Sequence, residues 1–147
     1  MEYNQSEFLI ETEVPDDELI ISRTDLQGNI THANDIFCEI SGYDISELEG
    51  KPHSIVRHPD MPKSVFADLW ETITDKKQWR GVVKNIRKDG GFYWFNAIIA
   101  GVYKDGELVE FKSLRTPASY DDKLKHQKLY DKIRQENNEN IRKVIYE

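Results

Sequence analysis

The first apolar segments of the chain are short and β-branched, and they predict a hairpin near the N-terminus. The segment Glu18–Asp25, ELIISRTD, has a β-branched centre that favours an extended strand. The next residues, Leu26–Asn29, contain Gln, Gly and Asn and are typical of a tight turn. Ile30–Ala33 then reads as a returning strand, so we expect the two strands to pair.

Two short helices are predicted after the hairpin. Asn34 is a good N-cap for a helix over residues 35–40, and Gly42 is a good stop for it. Asp44–Glu47 fits a capping box, in which the first and last side chains satisfy each other's backbone N–H groups. Gly50 is expected to end this second helix.

A longer helix is predicted over Ser64–Asp75. Its apolar residues fall on one helical face, as expected for a helix packed against a core. They are Val65, Phe66, Leu69, Trp70 and Ile73. We expect Asp60 to cap this helix and Pro62 to suit its first turn.

The apolar period then changes to two, which predicts three further strands. They read WRGVVKNIRKDG at 79–90, FYWFNAIIAGVY at 92–103 and ELVEFKSLRT at 107–116. Lys88–Gly91 and Lys104–Gly106 have turn chemistry, and Pro117 breaks the last strand. The middle strand is apolar on both faces, so both faces should be covered.

The order β-β-α-α-α-β-β-β-α indicates an α+β fold, with short helices on one side of a five-stranded antiparallel sheet. We expect residues 1–17 to form a loose N-terminal arm, with a short helical piece around 8–10. Residues 18–118 should form the domain, and residues 119–147 a C-terminal helix. The apolar stripe of that helix is broken. It fits either a solvated helix lying on the domain or a coiled-coil output helix.

Composition narrows the class of protein. The 147 residues carry a formal net charge of −7, which argues against a nucleic-acid-binding protein. The one cysteine, Cys38, excludes an internal disulfide and fits a reducing cytoplasm. We find no signal peptide and no apolar run near the length of a membrane span. We therefore expect a cytoplasmic domain, which would need a partner, or a further part of the protein, for any signalling at a membrane.

The segment VRHPDMPK, residues 56–63, concentrates charge around two prolines, which stiffen its backbone. Arg57, His58 and Asp60 fall within four positions of it. Such a segment fits a catalytic group, a binding clamp or the charged start of a helix. The pattern alone leaves these three interpretations open.

One face of the central strands is expected to line a pocket. Asn85 shares a face with Trp79, Gly81 and Val83, and a buried Asn requires hydrogen-bond partners. The neighbouring strand presents Tyr93, Phe95, Ala97 and Ile99 on one face. Aromatic residues around an apolar sheet suit a flat aromatic ligand. These aromatics, and Trp70 on its helix, also fit an ordinary core.

Two stretches of the sequence resemble a known family. TDLQGNITHANDIFCEISGYDISELEGKPHSIVRHPDMP, at 24–62, and VVKNIRKDGGFYWFNA, at 82–97, resemble PAS sensor domains. More narrowly, HSIVRHPDMPK and VVKNIRKDG resemble the FAD-binding PAS domains of bacterial aerotaxis receptors and of stand-alone redox sensors for energy taxis. The resemblance covers about residues 18–118.

The resemblance implies FAD as cofactor and assigns its retention to residues of VRHPDMPK. Arg57 would form a bidentate pair with the pyrophosphate. His58 would donate to a phosphate or stack near the adenine. Asp60 would accept from a ribose or ribityl hydroxyl, lock Arg57 in place or cap the helix. Asn85 would bond the polar edge of the flavin ring. The full set of predicted cofactor-binding residues is Asn34, His53, Arg57, His58, Asp60, Trp70, Trp79, Asn85 and Tyr93.

Other cofactor chemistries within the same family make different demands. Light-sensing LOV domains carry a reactive cysteine at the position that His53 occupies, so photoadduct chemistry is not expected. Haem-binding PAS domains usually take a proximal His from the longer helix or nearby. The predicted helix over 64–75 holds none, and His58 precedes it. A haem gas sensor stays a minor alternative.

Catalysis is not expected. The sequence has no HExxH pair, GxSxG elbow, P-loop or Rossmann glycine pattern. The rivals to a sensor are a cofactor-free PAS module that dimerises through its sheet or terminal helices, and a small flavoenzyme. The cofactor-free module predicts a pocket filled by its own aromatics.

The function implied by the resemblance is a redox or oxygen sensor for aerotaxis or energy taxis. In that family the sensor signals to a HAMP domain of a membrane-bound chemoreceptor. The corresponding partner here would be a HAMP or transducer region, in the same chain or in a separate one, and such a receptor partner would hold the domain peripheral to the inner membrane. A PAS homodimer is a further expected assembly.

Overall fold

The computed structural model describes residues 10–139. Its elements, in chain order, are β1 Ile20–Thr24, β2 Ile30–Ala33, α1 Asp35–Ser41, α2 Ile45–Leu48, a 3₁₀ turn at His53–Val56, α3 Lys63–Thr74, β3 Trp79–Ile86, β4 Phe92–Lys104, β5 Glu107–Pro117 and α4 Tyr120–Glu136. The order is the one that the apolar pattern predicts.

The strands form one five-stranded antiparallel sheet in the order β2-β1-β5-β4-β3. The β1–β2 and β3–β4 hairpins lie at opposite edges, and β5 lies at the centre, where it pairs with both β1 and β4. The α+β class and the five-stranded sheet are therefore confirmed.

The start of the helical region forms as its capping residues predict. The side chain of Asn34 accepts a hydrogen bond from Phe37 N–H at 3.3 Å, and Gly42 ends α1 with a φ of 79°. The capping box of Asp44 and Glu47 is present at α2.

The start of α3 differs from the prediction. Asp60 does not cap it. The N-cap is Pro62, which has no side-chain acceptor, and the N–H of Lys63 donates to Glu139 Oε1 at 3.1 Å. Asp60 instead lies 3.3 Å from Lys84 and 3.6 Å from Arg134. Its carboxylate is the counter-charge of these two buried cations, which would be costly to bury without one.

Both faces of the central strands are covered on the β3–β4 side, as the apolar pattern of β4 requires. On one face, Val83, Phe95 and Ala97 lie beneath α3. On the opposite face, which we call the back face, Trp94 stacks on Tyr130 of α4 with ring centroids 6.3 Å apart.

The C-terminal helix is shorter than predicted and lies on the domain. It ends at Glu136, and Asn138 then takes a φ of 54°, a left-handed conformation that Asn tolerates better than most residues. Tyr130 and Arg134 are buried on the sheet side, which fits the interpretation of a helix docked on its own domain. The predicted apolar residues Ile141, Val144 and Ile145 lie outside the described residues.

The described part of the N-terminal arm is not loose. Phe92 N–H donates to Ile10 O at 3.0 Å, and Thr12 N–H donates to Phe92 O at 2.8 Å. This pairing lies beyond the point where β5 leaves β4, at Phe95. Val14 is buried. Most of the predicted helical piece, at Phe8 and Leu9, falls outside the described residues.

Candidate functional site

A cleft lies between α3 and the face of the sheet opposite α4. The space between its walls that no atom occupies is about 730 Å³, and this figure includes open solvent at the mouth. One apolar wall comes from α3, with Phe66, Leu69, Trp70 and Ile73. The sheet supplies the other wall, with Val83, Phe95, Ala97, Ile99 and Phe111. A largely apolar cleft with few polar groups is the usual form of a small-molecule site.

Trp70 closes one end of the cleft. Its ring meets Phe111 edge to face, with centroids 5.8 Å apart. Gly28, in the β1–β2 turn, approaches so closely that a Cβ there would lie 2.9 Å from the Trp70 ring. Gly28 also has a φ of 87°, so the turn requires glycine for both space and conformation.

The principal polar group of the cleft is Arg115, on β5. It is only 2% exposed, and its guanidinium stacks over Phe37 and Phe95, with 4.8 Å and 5.4 Å to the ring centroids. Its Nη2 donates to Ser22 Oγ at 2.8 Å and to His53 Nε2 at 2.7 Å. Burial lowers the pKa of Arg115 to about 10, so it is a cation at neutral pH.

The charge of Arg115 has no anionic partner among residues 10–139. Its Nη1 is buried and finds no hydrogen-bond acceptor there, and the same holds for the hydroxyl of Ser113 beside it. Both residues line the cleft. Buried donors without acceptors are rare in native proteins, and a buried charge is costly unless paired. The cleft is therefore suited to a ligand that presents hydrogen-bond acceptors or negative charge.

His53 lines the cleft as a neutral ring. Arg115 can only donate, so the Nε2 of His53 accepts and the proton of the neutral ring is on Nδ1. Burial, and then the positive charge of Arg115, lower the pKa of His53 to about 3. His53 is thus a hydrogen-bonding group and not a charge at physiological pH.

The depressed pKa of His53 predicts a pH dependence of stability. The unfolded residue binds a proton below about pH 6.5, whereas the folded one does so only near pH 3. The stabilisation is complete above pH 6.5 and is lost as pH falls toward 3. Between about pH 6 and pH 4 we expect the free energy of unfolding to drop by about 1.4 kcal/mol per pH unit more in the wild type than in His53→Gln. Urea unfolding over this range measures both slopes, and equal slopes would contradict the assignment.

Asn85 and Tyr93 form a polar pair at the β3–β4 side of the cleft. The amide Nδ2 of Asn85 donates to the Tyr93 hydroxyl at 3.1 Å, and both residues are buried. Burial raises the pKa of Tyr93, which keeps the phenol neutral. Asn85 lines the cleft. Tyr93 does not line it, but its hydroxyl accepts the hydrogen bond that orients the Asn85 amide.

Arg57 lies at the mouth of the cleft. Its guanidinium carbon is 3.7 Å from the centre of the Phe66 ring, and its backbone forms an isolated antiparallel bridge with Asn85. Partial burial lowers its pKa, but the group stays charged at neutral pH. A cation at the mouth of an apolar cleft suits the anionic end of an elongated ligand.

His58 and Asp60, also predicted as cofactor-binding residues, do not line the cleft. The chain passes the edge strand β3 at Arg57, and the next residues lie towards the back face. Asp60 contacts Lys84 and Arg134, and His58 meets Phe92 edge to face with centroids 6.3 Å apart. The Asp60 N–H donates to His58 Nδ1 at 3.0 Å.

Asn34 and Trp79 also lie outside the cleft lining. Asn34 Oδ1 accepts from Ile21 N–H at 3.1 Å, in addition to capping α1. Trp79 Nε1 donates to Asp68 at 2.9 Å, and its ring lies against Gly81, where a Cβ would come within 2.3 Å of it. The Trp79 ring therefore occupies the space that a side chain at position 81 would need.

Of the predicted set, the cleft brings together His53, Arg57, Trp70 and Asn85. The cleft is also lined by Arg115, Ser113 and Ser22, which are not in the predicted set. For two of them the sequence contains a pattern that places them there: Ser113 and Arg115 alternate along β5 on the face that carries Phe111. Within the described part of the chain, no group of His, Cys, Asp and Glu residues could hold a metal ion. No helix of residues 10–139 has the length and apolar character to cross a membrane.

Comparison with known proteins matches this fold to a family. A family model described as the PAS fold matches residues 30–115. Solved structures with a similar fold include the light-state LOV domain of the blue-light photoreceptor Aureochrome1. It superposes with a TM-score of 0.65 and 21% identity, over 81% of this chain and 91% of that one. A PAS domain from Colwellia psychrerythraea has a TM-score of 0.62 and 21% identity over 68% of this chain and 86% of that one.

Curated relatives share more of the sequence. The aerotaxis receptor of Escherichia coli K12 is 48% identical over 108 residues, which cover 74% of this chain and 21% of the receptor. The nitrogen fixation regulatory protein of Klebsiella pneumoniae is 30% identical over 109 residues, 74% of this chain and 22% of that protein. The chain thus spans about a fifth of the length of these relatives.

Proposed function

This chain belongs to the PAS family, and from that membership we propose that it is an FAD-binding redox sensor for aerotaxis or energy taxis. Its role is signalling and not catalysis. The sensor acts on the HAMP or transducer region of a membrane-bound chemoreceptor, in the same chain or in a separate one, from the cytoplasmic side. This assignment is supported by the 48% identity with an aerotaxis receptor, which extends over 74% of this chain.

The observation that carries the proposal is the buried cation of Arg115 in an apolar cleft, where it meets no carboxylate of residues 10–139 and its Nη1 has no hydrogen-bond acceptor among them. A flavin ring has a large apolar face and an edge of alternating acceptors and donors, and the cleft offers the complement of both. A bound flavin would supply a redox-active ring. Arg115 would stabilise negative charge at the edge of that ring, because a cation in a low-dielectric site interacts strongly with it.

The other polar residues fit an elongated flavin nucleotide. Asn85 offers an amide that both donates and accepts, which suits the ring edge. Neutral His53 keeps the Arg115 guanidinium in place. Arg57 at the mouth is the cation for the pyrophosphate.

The rival functions fit the cleft less well. A cofactor-free module should fill its pocket with its own aromatics, and Phe66, Trp70 and Phe95 do line the cleft, but such a module offers no acceptor to the buried Nη1 of Arg115. Haem would need an accessible His nitrogen, but His53 Nε2 bonds Arg115 and His58 lies outside the cleft.

The absorption spectrum of the purified protein tests the proposal, followed by release of the chromophore and chromatography. Flavin bands with released FAD support it. A Soret band assigns haem instead, and a colourless protein that also refuses added FAD leaves an interaction module.

Arg57→Ala tests the cation at the mouth. We expect the variant to release FAD about tenfold faster, because it loses a charge-assisted contact worth roughly 1.4 kcal/mol or more. Stopped-flow fluorescence of the released flavin measures the rate. Arg80→Ala, which removes an exposed Arg of β3 outside the cleft lining, is the matched control. Unchanged FAD release in Arg57→Ala would rule out the clamp.

A further inference from the structure

The C-terminal region contacts the segment 57–63 at two places. Arg134 of α4 lies 3.6 Å from the carboxylate of Asp60, and both side chains are 2% exposed. Glu139, just beyond α4, accepts the N–H of Lys63 at 3.1 Å. We call these two contacts the latch.

The Glu139 contact supplies a hydrogen-bond acceptor for the first N–H of α3, which has none from its own N-cap residue. The N-cap of α3 is a proline without a side-chain acceptor, so the first helical N–H finds its acceptor 76 residues away. A carboxylate at a helix N-terminus also interacts favourably with the helix dipole. The helix that is capped in this way carries Phe66 and Trp70 into the cleft.

The Arg134 contact reaches the other side of the same segment. Asp60 bonds Lys84 of β3 as well as facing Arg134, and Lys84 also donates to Gln127 of α4 at 2.9 Å. The residue after Lys84 is Asn85, which lines the cleft and pairs with the backbone of Arg57. The latch therefore contacts the segment that presents Arg57 directly, and it contacts the strand that presents Asn85 through the bond between Asp60 and Lys84.

We propose that Arg134 and Glu139 are positioning residues of the cleft, although both lie outside it. They hold the segment 57–63 and the first turn of α3 in the geometry that retains the ligand. Ligand occupancy and the docking of α4 are then coupled, and coupling between two sites is reciprocal. Binding in the cleft tightens the docking of α4, and loss of docking weakens binding. The inference rests on the proposed function in taking FAD as the ligand.

The test compares two double variants of the full chain. Arg134→Met with Glu139→Ala removes the latch. Lys132→Met with Glu136→Ala removes an exposed pair of the same charges on the same helix, with side chains 72% and 62% exposed. We expect FAD release at least tenfold faster in the latch variant and within twofold of wild type in the control.

Amide hydrogen exchange provides a readout that a loss of overall stability would not imitate. We expect faster exchange in the first turn of α3, at 63–66, in the latch variant with or without FAD. In the wild type, added FAD should slow exchange in α4, and the latch variant should lose this effect.

Glu139→Ala alone keeps the inference testable if loss of Arg134 prevents folding, because within residues 10–139 the Glu139 side chain bonds a backbone N–H at the start of α3 and no buried charge. We expect about threefold faster FAD release from it, with partial rescue by Glu139→Gln, which keeps an acceptor. Wild-type release and wild-type exchange in these variants would overturn the latch and leave the proposed function standing. A wild-type chain that binds no FAD would instead overturn the proposed function, and the coupling with it.

Discussion

Replacement of Arg115 by methionine should weaken FAD binding about a hundredfold, or about 2.8 kcal/mol. The side chain is 2% exposed, and its Nη1 has no acceptor within residues 10–139. The ligand would supply that acceptor, so the variant loses a charge-assisted bond in a buried site. Equilibrium titration of the unliganded protein with FAD measures the loss.

The same substitution should leave the unliganded protein as stable as wild type, or more stable by up to about 2 kcal/mol. A buried cation without an anionic partner has a desolvation cost, which methionine removes while it fills similar space. Opposite effects on binding and on stability distinguish a ligand-binding cation from a structural one. Arg23→Met is the control, since Arg23 pairs with Glu110 and lies outside the cleft lining. A destabilised Arg115→Met variant with unchanged FAD affinity would refute the assignment.

Replacement of Asp60 by alanine should destabilise the fold by about 3–5 kcal/mol, with or without FAD. Asp60 is 2% exposed and lies against two cations, Lys84 and Arg134, whose side chains are 5% and 2% exposed. Removing the carboxylate takes away the counter-charge that lies between these two buried cations, although Arg134 keeps its ion pair with Asp131. The loss should appear as a shift of the urea midpoint with an unchanged slope.

Asp75→Ala is the matched control for Asp60→Ala. Its carboxylate pairs with Lys77 on the surface, with side chains 70% and 71% exposed, so its loss should change the free energy of unfolding by less than about 1 kcal/mol. A destabilisation of Asp60→Ala that appears only in the presence of FAD would restore Asp60 to the ligand contacts that the family resemblance implies.

The sequence predicted the fold well because its signals are local. The capping residues Asn34, Asp44 and Glu47 satisfy backbone groups within three residues of themselves, so their roles can be read along the chain. The two-sided apolar character of β4 likewise predicts cover on both faces. These features depend on spacing and not on distant partners.

The site could be predicted only in part. Alternation along β3 predicts Asn85 on the cleft face, whereas Arg115 is outside the predicted set, although alternation along β5 puts it on the same face as Phe111. The roles of Asp60 and Glu139 depend on partners 74 and 76 residues away, at Arg134 and Lys63, and no local pattern encodes such contacts. The length of α4 was overestimated because Asn137 and Asn138 are weaker helix stops than glycine or proline.

The short arm before β1 also protects the sheet from other molecules. Where β5 has left β4, the backbone of Phe92 would present an open strand edge, and residues 10–12 occupy it. Lys123 then bonds Glu11 and Glu13, which ties the arm to α4. An open edge is a template for intermolecular strand pairing. A shortened chain that starts at residue 18 would thus remove a protection against aggregation, although residues 10–17 contribute no side chain to the cleft lining.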